Sequence, residues 1–205
     1  MAKLRKWIGN LKVSAKLQVY RMAVLVMTAF FVLVALVSTL VIRSTIHSIT
    51  EVWSPSLEYL QELETMTAKY RIKQYQHLVE SDAAAMATCE KENDNIESQI
   101  KDATAKLGEI INSNKKAQQG KADYEKATSA WEEYLSTSDE VYKLSRDNKQ
   151  AEATRIMIGS AYESYMSFVK QLSILHDDFQ VELDNAKTLA NICTIIIIIV
   201  IIVTG

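Results

Sequence analysis

The chain has 205 residues, a formal net charge of −2, two cysteines, one proline and five glycines. So few helix breakers predict long, uninterrupted helices. Cys89 sits in a polar region and Cys193 in an apolar one, which excludes a disulfide framework. All 25 acidic residues lie beyond Arg43, and that acidic excess argues against a nucleic-acid surface there.

The first element is a charge-free apolar run over residues 22–42. At about 1.5 Å per residue it matches a hydrocarbon core of about 30 Å. It follows Lys3, Arg5, Lys6, Lys12, Lys16 and Arg21, with no acid among residues 1–21. Basic flanks stay on the cytoplasmic side, so the N-terminus is expected inside. A cleaved signal peptide is the competing reading, but the run is longer than an h-region and no A-x-A site follows before Arg43. A second charge-free run, LANICTIIIIIVIIV, closes the chain. The expected organisation is therefore a cytoplasmic basic segment (1–21), a first span (22–42), an extracytoplasmic domain (43–188) and a second span (189–205).

Helical periodicity runs through the domain. The first seam is Ile49, Trp53, Ser56, Leu60, Leu63, Thr67, Tyr70, Gln74 and His77. Ser81 or Asp82 caps the next helix, with the seam Met86, Cys89, Asn93, Ile96, Ile100, Ala103, Leu107 and Ile110. A loop is expected from Asn112 to Gly120. The third seam is Tyr124, Thr128, Trp131, Leu135, Ser138 and Tyr142, and a turn follows at Arg146 to Asn148. The fourth reads Ile158, Tyr162, Tyr165, Val169, Leu172, His176, Phe179, Leu183 and Ala186, with a break at Gly159. Pro55 is expected to kink the first helix. Four amphipathic helices with short connections predict an all-α, antiparallel up-down-up-down four-helix bundle. Its first and last helices continue into the two spans.

No metalloprotease, phosphate-loop, dinucleotide or C-x-x-C motif occurs, so neither an enzyme nor a cofactor is expected. In an antiparallel bundle residue 43+n lies level with residue 188−n. His47, His77 and His176 then fall at three different heights, which speaks against a metal site. His176 reads as a core or subunit-contact histidine.

The same height matching brings Arg71, Tyr70 and Gln74 level with Asn93, Ser138, Tyr134, Tyr162 and Tyr165. Such a polar, aromatic layer is either a closed hydrogen-bond network or a pocket, because buried polar groups need partners. Arg offers a bidentate fork to a carboxylate. The candidate ligand site is Arg71 with Tyr70, Gln74, Asn93, Tyr134, Tyr162 and Tyr165, for a small carboxylate-bearing molecule. The competing reading pairs Arg71 with Glu64 or a neighbouring helix at the surface.

The segment KVSAKLQ at 12–18 leads into the first span, and YRIKQYQHLVESD at 70–82 and NKQAEATRIMIGSAYESYMSF at 148–168 sit at the distal turns. With this layout the chain resembles the input half of bacterial methyl-accepting chemotaxis proteins with a four-helix-bundle ligand-binding domain. The resemblance implies a homodimeric receptor in the cytoplasmic membrane. Ligand binding in the periplasm, direct or through a periplasmic binding protein, would shift the fourth helix and second span. It also implies a HAMP linker and methylated coiled coil, which this sequence lacks, so a receptor fragment or truncated product is expected. Of the site residues, only Arg71 carries over from the family's distal arginine.

Three functions compete at this level. The leading one is a chemotaxis input module that detects a small molecule and transmits a helix displacement through the lipid bilayer. The second is the sensor half of a histidine kinase or other signalling protein. The third is a ligand-free structural bundle tethered to the membrane.

Overall fold

A computed structural model describes residues 12–204. The basic residues Lys3, Arg5 and Lys6 lie outside them. The elements are α1 (Val13–Ser48), a π-helical turn (Ile49–Trp53), α2 (Ser54–Val79), α3 (Ala83–Ser113), a 3₁₀ turn (Ala117–Gly120), α4 (Lys121–Arg146), α5 (Gln150–Ile158) and α6 (Ser160–Thr204), with no strand among the described residues. The chain divides into two compact units. One joins the residues up to His47 with those from Ala186 onward, and the other is Ser48–Asn185.

In the first unit the apolar side chains point outward: Val24, Phe30, Leu36, Ile195 and Ile201 are all exposed. The helical runs that hold them are long and apolar enough to cross a membrane. Only 6 % and 11 % of their most apolar stretches is buried, whereas a soluble core helix would be mostly covered. Their hydroxyls bond back along the helix, Thr28 to the Val24 carbonyl at 2.9 Å and Thr194 to the Ala190 carbonyl at 2.9 Å. That removes the cost of an unpaired polar group among apolar neighbours.

The second unit is the four-helix bundle, and side-chain pairs give its topology. Lys73 meets Glu92 and His77 meets Glu90, so α2 and α3 run antiparallel. Tyr124 reaches the Thr104 carbonyl and Arg146 reaches Glu90, so α3 and α4 do as well. Trp131 packs on Phe168 and Tyr134 on Tyr165, which sets α6 antiparallel to α4. Tyr70 with Ser138 and His77 with Ser145 place α2 and α4 parallel across the diagonal. This is the up-down-up-down arrangement.

Local chemistry sets the element ends. Pro55 has no amide to donate and its ring would crowd the carbonyl one turn back. The chain answers with the π turn before it, where the Ser54 amide bonds the Ile49 carbonyl. Asp82, of the two expected caps, accepts from the Ala85 amide at 3.0 Å. Asn148, at φ 57°, takes the left-handed conformation that turns α4 into α5. The loop expected over 112–120 is shorter, because α3 runs to Ser113 and the 3₁₀ turn occupies its second half.

The predicted α2 seam is buried from Trp53 to His77. Two other seams are rotated. On α4 the buried line is Ala127, Ala130, Trp131, Tyr134, Ser138, Val141, Tyr142 and Ser145, which leaves Tyr124, Thr128 and Leu135 half-buried at its edge. Where the fourth helix of the bundle begins, on α5 and α6, Met157, Ala161, Ser164 and Phe168 face inward. Ile158 and Tyr162, expected on the seam, are exposed instead. Small residues let helices approach closely, so Ala127, Ala130, Ala161 and Ser164 took core positions while Tyr124, Leu135, Ile158 and Tyr162 moved to the edges. Gly159 resets the register between α5 and α6: a Cβ there would meet the Arg155 carbonyl oxygen at 2.9 Å.

Candidate functional site

The layer around Arg71 separates into a cage and a network. Arg71 lies on the distal half of α2 and is 8 % exposed. Its guanidinium carbon stands 5.0 Å from the ring centre of Tyr165, 5.3 Å from Tyr162, 5.3 Å from Tyr75 and 5.9 Å from Tyr134. Four phenol rings turn their negative faces toward one cation. One nitrogen, Nη2, donates to the Met157 carbonyl at 2.9 Å and to the Tyr75 hydroxyl at 3.1 Å. Met157 stands in the last turn of α5, where carbonyls have no intrahelical partner and the helix dipole is negative. Arg71 therefore caps α5.

The other nitrogen, Nη1, is buried with no partner. Among the described residues no carboxylate lies within ion-pair distance of Arg71. The surface pairing with Glu64 does not form: Arg71 is inside, bonded to a backbone carbonyl.

The network lies on the other side of α2. Gln74, fully buried, receives the Tyr134 hydroxyl on its carbonyl oxygen and donates its amide to Ser138. The Tyr70 hydroxyl is 3.2 Å from the same Ser138 oxygen. Asn93 donates to the Tyr70 carbonyl at 3.1 Å and to the Tyr142 hydroxyl. One turn further, buried His77 sits between Ser145 at 3.0 Å and Glu90 at 2.9 Å, edge-on to Tyr142.

Burial sets the electrostatics of these phenols. It pushes Tyr70 up to about 12, against the lowering effect of its bond to Ser138. Burial also raises Tyr134 and Tyr165, and the Arg71 charge partly offsets this in both. Tyr142 is raised too, by burial first and then by Tyr70. All four stay neutral donors at any physiological pH.

Of the predicted site residues, Tyr134, Tyr162 and Tyr165 surround the guanidinium. Tyr70, Gln74 and Asn93 do not touch it. Gln74 reaches the cage indirectly by holding Tyr134, and Tyr70 packs its ring on Trp131 at 5.5 Å and on Tyr134 at 6.1 Å. Tyr75 and the Met157 carbonyl belong to the cage and were not anticipated. Tyr75 stands at i+4 from Arg71, the spacing at which helix neighbours meet. Gly159 signalled a helix end, but not that the Met157 carbonyl would face Arg71. Among the described residues no group of three metal-ligating side chains occurs. His176 is half-buried on α6, its Nδ1 without a partner.

This arrangement can hold a second hydrogen-bond acceptor at Nη1, with an anion favoured over a neutral group. Comparison with the curated proteins finds no match to the chain. Residues 10–191 match the family described as a four-helix-bundle sensory module for signal transduction. That match spans most of the sequence and agrees with the four-helix bundle: the chain belongs to the family of four-helix-bundle sensory modules for signal transduction.

Proposed function

We propose that this sensory module is the input half of a transmembrane chemotaxis receptor, with no enzymatic activity of its own. It detects a small carboxylate at Arg71 on the periplasmic side of a bacterial cytoplasmic membrane. The observation that carries the ligand reading is the buried, unpartnered Nη1 of a cation with no carboxylate beside it. A ligand carboxylate would complete the fork that Met157 and Tyr75 occupy on one side only.

Support for the membrane reading comes from the two apolar helices with little of their surface buried. The basic residues Lys12, Lys16 and Arg21 before the first apolar run favour an N-terminus inside. A second copy of the chain is the proposed partner. Ile72, Tyr75 and Val79 on α2, with Tyr162 and Met166 on α6, are exposed apolar or aromatic residues. Tyr75 and Tyr162 each have the Arg71 guanidinium over their rings, so a homodimer through this face would cover the cage. Helix α6 carries residues of both units, and its displacement on binding is the proposed output.

Splicing residues 1–205 onto the cytoplasmic half of a kinase-controlling receptor tests this reading. Kinase output should respond to carboxylates added outside, and the response should vanish with Arg71→Met. An output indifferent to every carboxylate favours the ligand-free structural bundle.

A further inference from the structure

A concavity lies between α3 and α4, and none of the four cage tyrosines lines it. It is a cleft of about 360 Å³, within the roughly 300–1,000 Å³ typical of small-molecule sites. Its existence follows from the rotation of α4. With Ala127 and Ala130 turned into the core, Tyr124, Thr128 and Leu135 are left half-buried along its edge. Trp131 forms the apolar floor between Ile100 and Leu135. It is held from behind by Tyr134 at 5.1 Å, Phe168 at 5.2 Å and Tyr70 at 5.5 Å. Only 7 % of Trp131 is exposed, so the indole gives the cleft a small, rigid apolar patch for a ligand body.

The charge of the cleft is unbalanced. Glu97 and Glu132 line it, and Lys101 is the single basic residue in its lining. Asp94 adjoins it in a smaller depression shared with Glu97 and Lys101. Burial, followed by the repulsion of Asp94 and Asp139, holds the Glu97 carboxyl above the usual carboxylate range. Such a group gains when a positive charge arrives.

We propose that the α3–α4 cleft binds a small organic cation, an ammonium on an aromatic or branched apolar body. The body lies on Trp131, and the ammonium pairs with Glu97 and Glu132. An aromatic floor beside carboxylates suits such a ligand, because the ring face and the acids both attract the cation. An anion meets the repulsion of the same carboxylates. The cleft and the Arg71 cage therefore select ligands of opposite charge.

Calorimetric titration of the full chain in zwitterionic-lipid nanodiscs with phenethylammonium, corrected for empty discs, tests the proposal. Saturable binding is expected, at least tenfold tighter than for the uncharged 2-phenylethanol. Glu97→Gln with Glu132→Gln should weaken it at least tenfold, and Ala105→Trp, at an exposed position in the lining, should abolish it. Arg71→Met should leave it unchanged, which separates this site from the carboxylate site. Equal binding of ammonium and alcohol, no binding beyond empty discs, or wild-type affinity in Ala105→Trp overturns the proposal. If one variant does not fold, the other decides.

Discussion

The guanidinium carbon of Arg71 on α2 lies 5.0 Å from the ring centre of Tyr165 on α6. Three further tyrosines complete the cage; Nη2 is bonded to Met157 and Tyr75, while Nη1 is buried without a hydrogen bond. The arrangement joins a structural task, capping α5, to the binding task proposed for Nη1.

A planar cation suits this cage better than a point charge. Arg71→Lys keeps the charge but loses the stacking and the reach to both Met157 and Tyr75. Urea unfolding of the detergent-solubilised chain should show a loss of about 1–2 kcal/mol. An unchanged midpoint would mean that the rings contribute nothing to holding the side chain.

Gln74 holds two hydroxyls at once, those of Tyr134 and Ser138. Gln74→Leu takes the acceptor from the buried Tyr134 hydroxyl, while Ser138 keeps Tyr70, and should cost about 1–3 kcal/mol. Ser138→Ala should cost about 1 kcal/mol. The double variant should be less destabilised than the sum of the two, since both substitutions break the same bond.

Gly120 lies where the chain enters α4, packed under α6. A Cβ there would sit 2.8 Å from Leu175 Cδ2 and 2.9 Å from the Phe179 ring. Both neighbours are fully buried and have nowhere to move. Gly120→Ala should therefore destabilise by about 1–3 kcal/mol through overpacking, seen as a lower thermal midpoint with unchanged helix content.

The buried phenols set the alkaline limit. Unfolded tyrosines ionise near 10, whereas Tyr70 holds its proton to about 12 and burial raises Tyr134 and Tyr142 as well. The folded state thus binds more protons than the unfolded state above pH 10. Stability should be unaffected by these groups below pH 10 and fall through pH 12, by about 1.4 kcal/mol per pH unit for each tyrosine. Part of the absorbance change of the nine tyrosines should be withheld until the circular dichroism falls, the two then changing in one cooperative step. Complete ionisation of all nine near pH 10, with the helices intact, would contradict the burial of these side chains.

The bundle was legible because apolar residues recur at helical spacing and because only one proline and five glycines interrupt the chain. Height counting put Arg71 level with Ser160; its observed neighbours on that side are Met157, Tyr162 and Tyr165. Helix rotation was less legible. Size and hydropathy assigned Ile158 and Tyr162 to the seam, while close packing chose Ala161 and Ser164. The Met157 carbonyl could not be read, since a backbone acceptor has no residue type. Nor could the α3–α4 cleft, which depends on how far apart two helices stand.

Isothermal titration of the full chain with a panel of two- to six-carbon mono- and dicarboxylates, beside its Arg71→Met variant, tests the central claim most directly. The account predicts that at least one carboxylate binds the wild-type chain saturably and that Arg71→Met loses this binding while keeping its helix content. A panel that gives no binding to the folded wild-type chain, or a carboxylate that binds both chains equally, would contradict it.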